Sequence, residues 1–117
     1  MTHPDLLYKV ATAEAVAAAE ARGAFPRMPV DDADGFVHFS TAAQLPETLR
    51  RHFAGQADLV LLAVRADALG EGLVWEPSRG GELFPHGYGE IAPAAEAWRA
   101  PLTVAADGTC RLPAAVR

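Results

Sequence analysis

A single cysteine, Cys110, stands in the whole chain. No disulfide can close within it, so any fold must rest on its core, and the composition suits a reducing compartment. A lone cysteine this close to the end of a chain reads as a small hydrophobe. Basic residues are also few. Ten Lys+Arg against fifteen Asp+Glu leave a net charge of −5. Such a chain lacks the concentrated basic surface that phosphate backbones require, so no nucleic acid partner is expected. Long apolar runs are missing. The longest, Leu59-Val60-Leu61-Leu62-Ala63-Val64, falls far short of the roughly 20 residues a membrane helix needs. No cationic start with an apolar run opens the chain, so neither a signal peptide nor a membrane partner is expected. The expectation is a soluble cytoplasmic protein.

The usual short motifs are absent as well. There is no GxxxxGK loop, no GxGxxG, no CxxC, no HxxxH and no GxSxG elbow. Phosphate-loop chemistry, a preformed zinc site and an elbow-type serine hydrolase are thereby disfavoured. What is present is 117 residues, half of them apolar, which is one domain's worth of chain spanning 1–117.

Leu6 to Val10 reads as a first strand. Thr12 to Arg22, rich in alanine with Glu14 early, Arg22 late and Gly23 beyond, reads as a helix. Pro26, Pro29 and the acids Asp31, Asp32 and Asp34 read as a solvated turn in preference to a metal site. Gly35 to Phe39 reads as a short strand. Thr41 and Gln44 have capping-box spacing, and a helix is expected from about Pro46, with Leu45, Leu49 and Phe53 on one face. Asp58–Arg65 and Leu73–Glu76 read as strands, and Ser78–Gly81 as a flexible turn. Phe84 to Glu90 fits neither helical nor strand periodicity. Ala94–Trp98 and Leu102–Val104 read as strands, Asp107-Gly108 as a hairpin turn, and the tail after Leu112 as frayed. Two helices among about seven short strands give an α+β fold with mainly antiparallel sheets.

Among four histidines, His3 falls in the terminus and His52 on an exposed helix face beside Arg50 and Arg51, and neither invites a role. His38 is different. It ends an apolar strand immediately before Ser40 and Thr41, and strand ends feeding a helix are common ligand sites. A core histidine satisfied by a neighbour, with the two hydroxyls as caps, is the plain alternative. Phe84-Pro85-His86-Gly87-Tyr88-Gly89 sets an imidazole between rings, with glycines that permit close approach to the backbone. The alternative is a rigid loop plugging a small core. Glu76 and Arg79 flank a turn, either as a surface ion pair or as a carboxylate at a pocket and an anion-binding guanidinium. A two-histidine, one-carboxylate metal set of His38, His86 and Glu76 requires three segments to converge, and no metal is assigned.

Asp34-Gly35-Phe36-Val37-His38-Phe39-Ser40-Thr41, then Gln44, then Trp75-Glu76-Pro77-Ser78-Arg79-Gly80-Gly81, then Phe84-Pro85-His86-Gly87-Tyr88-Gly89 resemble the bacterial domain-of-unknown-function family 952. The resemblance runs from Tyr8 to about Pro113. It implies a pared-down ADP-ribosyltransferase-like α+β fold, in which two small antiparallel sheets form a cleft that holds NAD in the active enzymes. Where those enzymes carry histidine or arginine on the first strand, this chain carries Lys9. The order His38, Tyr88, Glu90 mimics a His-Tyr-Glu set, although Tyr88 and Glu90 are only two residues apart.

The resemblance implies a small-molecule ligand, NAD or another nucleotide-like molecule, with the cofactor itself left open. His38 and Ser40 would bind the ribose, with Thr41 and His86 beside them. Tyr88 and Phe84 would stack the nicotinamide, and Arg79 would hold the pyrophosphate. Catalysis would fall to Glu76, stabilising positive charge as the glycosidic bond breaks, and to His38. The alternative is a non-catalytic module binding a ligand or protein in the same cleft, or a fold whose histidines are structural. All functional readings require these separated segments to meet around one hollow.

Overall fold

The computed structural model describes residues 4–117, apart from the side chain of Arg79. Six strands and three α-helices occur among the described residues, with all three α-helices before the third strand, and they give an α+β fold built on two three-stranded antiparallel sheets. Strand β1 (Leu6–Thr12), strand β3 (Leu59–Arg65) and strand β6 (Glu96–Leu102) form one sheet in the order β1-β3-β6. Strand β2 (Val37–His38), strand β4 (Leu73–Pro77) and strand β5 (Leu83–Gly87) form the other, with β5 in the middle. A single bridge joins the sheets: Tyr8 N–H donates to the Ser40 carbonyl at 2.8 Å, and Ser40 N–H to the Tyr8 carbonyl at 2.9 Å.

The helices follow from local chemistry. Thr12 caps helix α1 (Ala13–Arg22) by accepting from Ala15 N–H, and Gly23 ends it in a left-handed conformation. Helix α2 (Pro29–Asp34) begins on Pro29, whose missing N–H is no loss in a first turn. Its third residue, Asp31, reaches back to the N–H of Met28 at 2.7 Å. Before helix α3 (Leu45–His52), Thr41 and Gln44 cap each other reciprocally, as their spacing predicts.

Strands β1 and β3 of the first sheet are buried on both faces. Tyr8, Val10, Leu59 and Leu61 meet Leu45 and Leu49 of α3 on one side. On the other, Leu7 and Val64 meet Val37 and Phe39 of the second sheet, and Ala11 and Leu62 meet Val16 of α1. Burying such side chains supplies about 1.5–3 kcal/mol each.

Five expectations are corrected. Three α-helices and six strands stand among the described residues where two helices and about seven strands were expected. The acidic loop is helix α2, and Asp31 is wholly buried instead of solvated. The Phe84–Glu90 stretch holds all but the first residue of the central strand β5, and those four residues are all buried, so no polar–apolar alternation marks it. Pro85 fits there because its carbonyl accepts from Phe39 N–H, where β2 has already ended and its own missing donor is not needed. The last two expected strands are one, β6, after a short 3-10 turn at Pro93–Ala95. The tail is docked, with Leu112 and Val116 against the core and Arg117 N–H donating to the Tyr8 hydroxyl. No helix among the described residues is long and apolar enough to cross a membrane.

Candidate functional site

Register decides what the second sheet presents. His38 pairs with His86, and His86 with Val74, while Glu76 pairs with Phe84. Directly paired residues share a face, and so do residues two apart. One face therefore carries Phe36, His38 and Ser40, with Phe84, His86 and Tyr88 beside them and Glu76 beyond. The opposite face carries Val37, Phe39 and Trp75 into the core. Gly87 lies on that core side, where a Cβ would come within 2.8 Å of the Phe39 ring.

Beside the inter-sheet bridge lies a cleft of about 500 Å³. Lys9, His38, Ser40, Phe84 and His86 all line it, with Thr48 and His52 of α3 on one wall and Met28, Pro29 and Val30 on another. Phe36 stacks on His86 with ring centroids 4.1 Å apart at 22°, and Tyr88 leans on Phe36 at 5.1 Å. The rings of His38 and His86 stand 5.5 Å apart.

Two hydrogen-bonded groups organise these side chains. In the first, buried Asp31 accepts from Met28 N–H, His38 N–H and the Lys9 ammonium, the last at 2.7 Å, and its Oδ1 lies 2.8 Å from His38 Nδ1. His38 Nε2 lies 2.9 Å from Asp34. Burial opposes the charged form of Asp31, yet the His38 bond and the Lys9 charge outweigh it and hold the carboxyl far below its ordinary range. Burial pushes the Lys9 ammonium down, partly countered by Asp31. The side chains of Asp31 and Lys9 are 0% and 4% exposed, so each is the counter-ion the other needs.

In the second group, Glu76 Oε1 lies 2.7 Å from His86 Nδ1 and accepts from the Tyr88 hydroxyl at 2.7 Å. The His86 and Tyr88 bonds draw the Glu76 carboxyl below its ordinary value, and the Glu76 bond raises the Tyr88 phenol. The side chain of His86 is 6% exposed and that of His38 30%.

The structure thus gathers His38, Ser40, Glu76, Phe84, His86 and Tyr88 on one sheet face. Ser40 Oγ is spent on Thr48 Oγ1 at 2.9 Å. Thr41 is a capping residue turned to Gln44 and does not line the cleft. The side chain of Arg79 lies outside the described residues, as does His3. Glu90 is exposed and follows β5, apart from these groups. No cluster of three metal-ligating side chains occurs among the described residues. Lys9, Asp31, Asp34, Phe36 and His52 also belong to this region, although the sequence did not single them out. Two signals were available: a lysine inside the apolar strand Leu7–Ala11 demands a buried counter-ion, and Pro29 with Asp31 has the spacing of a helix start.

Comparison with known proteins agrees with this architecture. The family described as "Protein of unknown function (DUF952)" matches residues 10–98. The crystal structure of protein CC0527 from Caulobacter crescentus is 46% identical, with a TM-score of 0.84 over 91% of this chain and 93% of that one. Its solution NMR structure is 47% identical, with a TM-score of 0.77 over 90% of each chain. No curated protein matches the chain. Both the matched segment and the shared fold lead to one conclusion: this chain belongs to the DUF952 family.

Proposed function

We propose that the cleft binds a nucleotide-like small molecule, with NAD and ADP-ribose the first ligands to test. The observation that supports this reading is the gathering of His38, Ser40, Phe84, His86 and Lys9 around one hollow of about 500 Å³. Ligand pockets of roughly 300–1,000 Å³, mostly apolar with a few fixed polar groups, are of this kind. Phe36 and Tyr88, on the same sheet face as His86 but outside the residues that line the cleft, offer ring faces against which a base or nicotinamide reaching past His86 could stack. Lys9 is the fixed cation of the cleft, and Arg79 stands two positions after the end of β4. His38 spends both ring nitrogens on Asp31 and Asp34, so its part is to hold the wall of the cleft.

The resemblance to ADP-ribosyltransferases supplies a candidate chemistry. Glu76 would face positive charge developing on a ribose as its glycosidic bond breaks. A second reading, a binding module without catalysis, is favoured by one observation: the Glu76 carboxylate is already tied to His86 and Tyr88. Glu76→Gln separates them. An enzyme loses turnover and keeps affinity, whereas a binder shows only a change in affinity. The binding reading itself is tested by NMR and thermal shift with NAD and ADP-ribose at millimolar concentration. Shifts at His86, Phe84 and Ser40 are expected, and their absence with both ligands refutes it.

A further inference from the structure

A carboxylate has no proton to give, so an imidazole nitrogen facing one must donate to it. His38 faces two, Asp31 through Nδ1 and Asp34 through Nε2, so both of its nitrogens are engaged. His86 faces one. Its Nδ1 is engaged by Glu76, and no hydrogen bond to Nε2 occurs among the described residues. No buried side-chain nitrogen or oxygen lacks a partner among those residues, so Nε2 is not sealed from solvent, and His86 is one of the residues that line the cleft. A proton fixed on Nδ1 leaves the lone pair on Nε2. The Phe36 stack sets the plane of the ring, and Tyr88 fixes the Glu76 oxygen that sets its tautomer. In the same cleft, the Lys9 ammonium, held by Asp31 at 2.7 Å, is the cation that an oxyanion entering beside it would meet.

We propose that His86 is the proton-accepting base of the cleft, positioned by Glu76, and that its ligand pairs a hydroxyl with an oxyanion, as a sugar phosphate does. The hydroxyl donates to Nε2, and the oxyanion lies against Lys9. When the proton passes fully, it moves from oxygen to Nε2, the oxygen keeps the electron pair, and the imidazolium stays beside the Glu76 carboxylate. This proposal rests on the binding reading above and names the class of ligand for that same site.

The test is carbethoxylation of the full chain with diethyl pyrocarbonate, which attacks through a free imidazole lone pair, followed by peptide mass mapping. His86 is expected to react about tenfold or more faster than His38, the factor that breaking a charge-assisted hydrogen bond carries. Ribose 5-phosphate at millimolar concentration is expected to protect His86, with ribose or inorganic phosphate alone protecting it less. Glu76→Gln, which lets the ring carry its proton on either nitrogen, is expected to slow the reaction. If His86 reacts no faster than His38, the assignment of the base is overturned. If His86 reacts without protection by ribose 5-phosphate, the ligand class is overturned. ADP-ribose binding seen by NMR in that same sample would then leave the binding reading standing.

Discussion

Replacing Asp31 by asparagine removes one charge from the interior and keeps the shape of the side chain. Asp31 accepts from two backbone N–H groups and from Lys9, and meets His38 Nδ1 as well, all within 3.0 Å. An amide offers one oxygen where the carboxylate offers two, and it turns an NH2 towards a donor. Lys9, itself 4% exposed, is left without its counter-ion. Breaking a buried pair from one side costs about 3–5 kcal/mol, because the other charge stays buried and unpaired. That is a large part of the roughly 5–15 kcal/mol that holds a domain of this kind together. At about 3–6 °C per kcal/mol for a chain of this length, the thermal midpoint should fall by about 10–30 °C.

Urea titration and calorimetry of the single and double variants check the reasoning. Lys9→Met together with Asp31→Asn removes both charges, and it should be more stable than Asp31→Asn alone by at least about 1 kcal/mol. The pH dependence has a definite sign. The folded carboxyl sits below its ordinary value of 3.8, so its contribution is complete above that value and disappears as the pH falls from there through the folded value. Asp31→Asn should lose this acid-side slope. A stability for Asp31→Asn within about 1 kcal/mol of the parent, or a double variant no better than the single, refutes the idea that the pair is mutually dependent.

Three further outcomes are expected. Gly87→Ala drives a methyl group into the Phe39 ring and against Ile91, and it should destabilise by about 1–3 kcal/mol in chemical denaturation. Gln44→Ala removes a cap to Thr41 N–H and a bond to the Leu83 carbonyl that ties α3 to β5, with an expected loss of about 1–3 kcal/mol by the same assay. In ultraviolet titration the Tyr88 phenol should ionise above its ordinary value of 10.0, because Glu76 accepts its proton, and Glu76→Gln should bring it down. The folded value lies above the unfolded one, so whatever this bond contributes is present below pH 10.0 and lost as the pH rises through the folded value.

Much of the fold was legible where one rule acted alone. The alanine-rich helix between Thr12 and Gly23, the buried strand Leu59–Arg65 and the Thr41–Gln44 cap came from propensity, hydrophobic run and spacing. Strand β5 was hidden because burial on both faces erases alternation and because a proline stands inside it. Asp31 is hidden from a local reading because three acids near prolines have the composition of a solvated turn. Its partner, Lys9, lies twenty-two positions earlier, and only tertiary packing brings them together. For the site, alternation placed Phe36 and His38 on one face of a strand. That this face also holds His86 and Glu76 depends on strand pairing, which local sequence does not encode. The tail seemed free to fray because nothing local showed that Leu112 and Val116 cover the core beside Tyr8.

The cleft is organised around His86, which lies between Phe36 on its face and Glu76 at its Nδ1, with Tyr88 alongside. Side-chain NMR of the isotope-labelled protein reads this directly. Long-range proton–nitrogen correlation should show the His86 proton on Nδ1, and nuclear Overhauser contacts should join its ring to Phe36, whose centroid is 4.1 Å away, and Phe36 in turn to Tyr88. A His86 proton fixed on Nε2, or a ring with no contact to Phe36, would contradict the arrangement of the cleft.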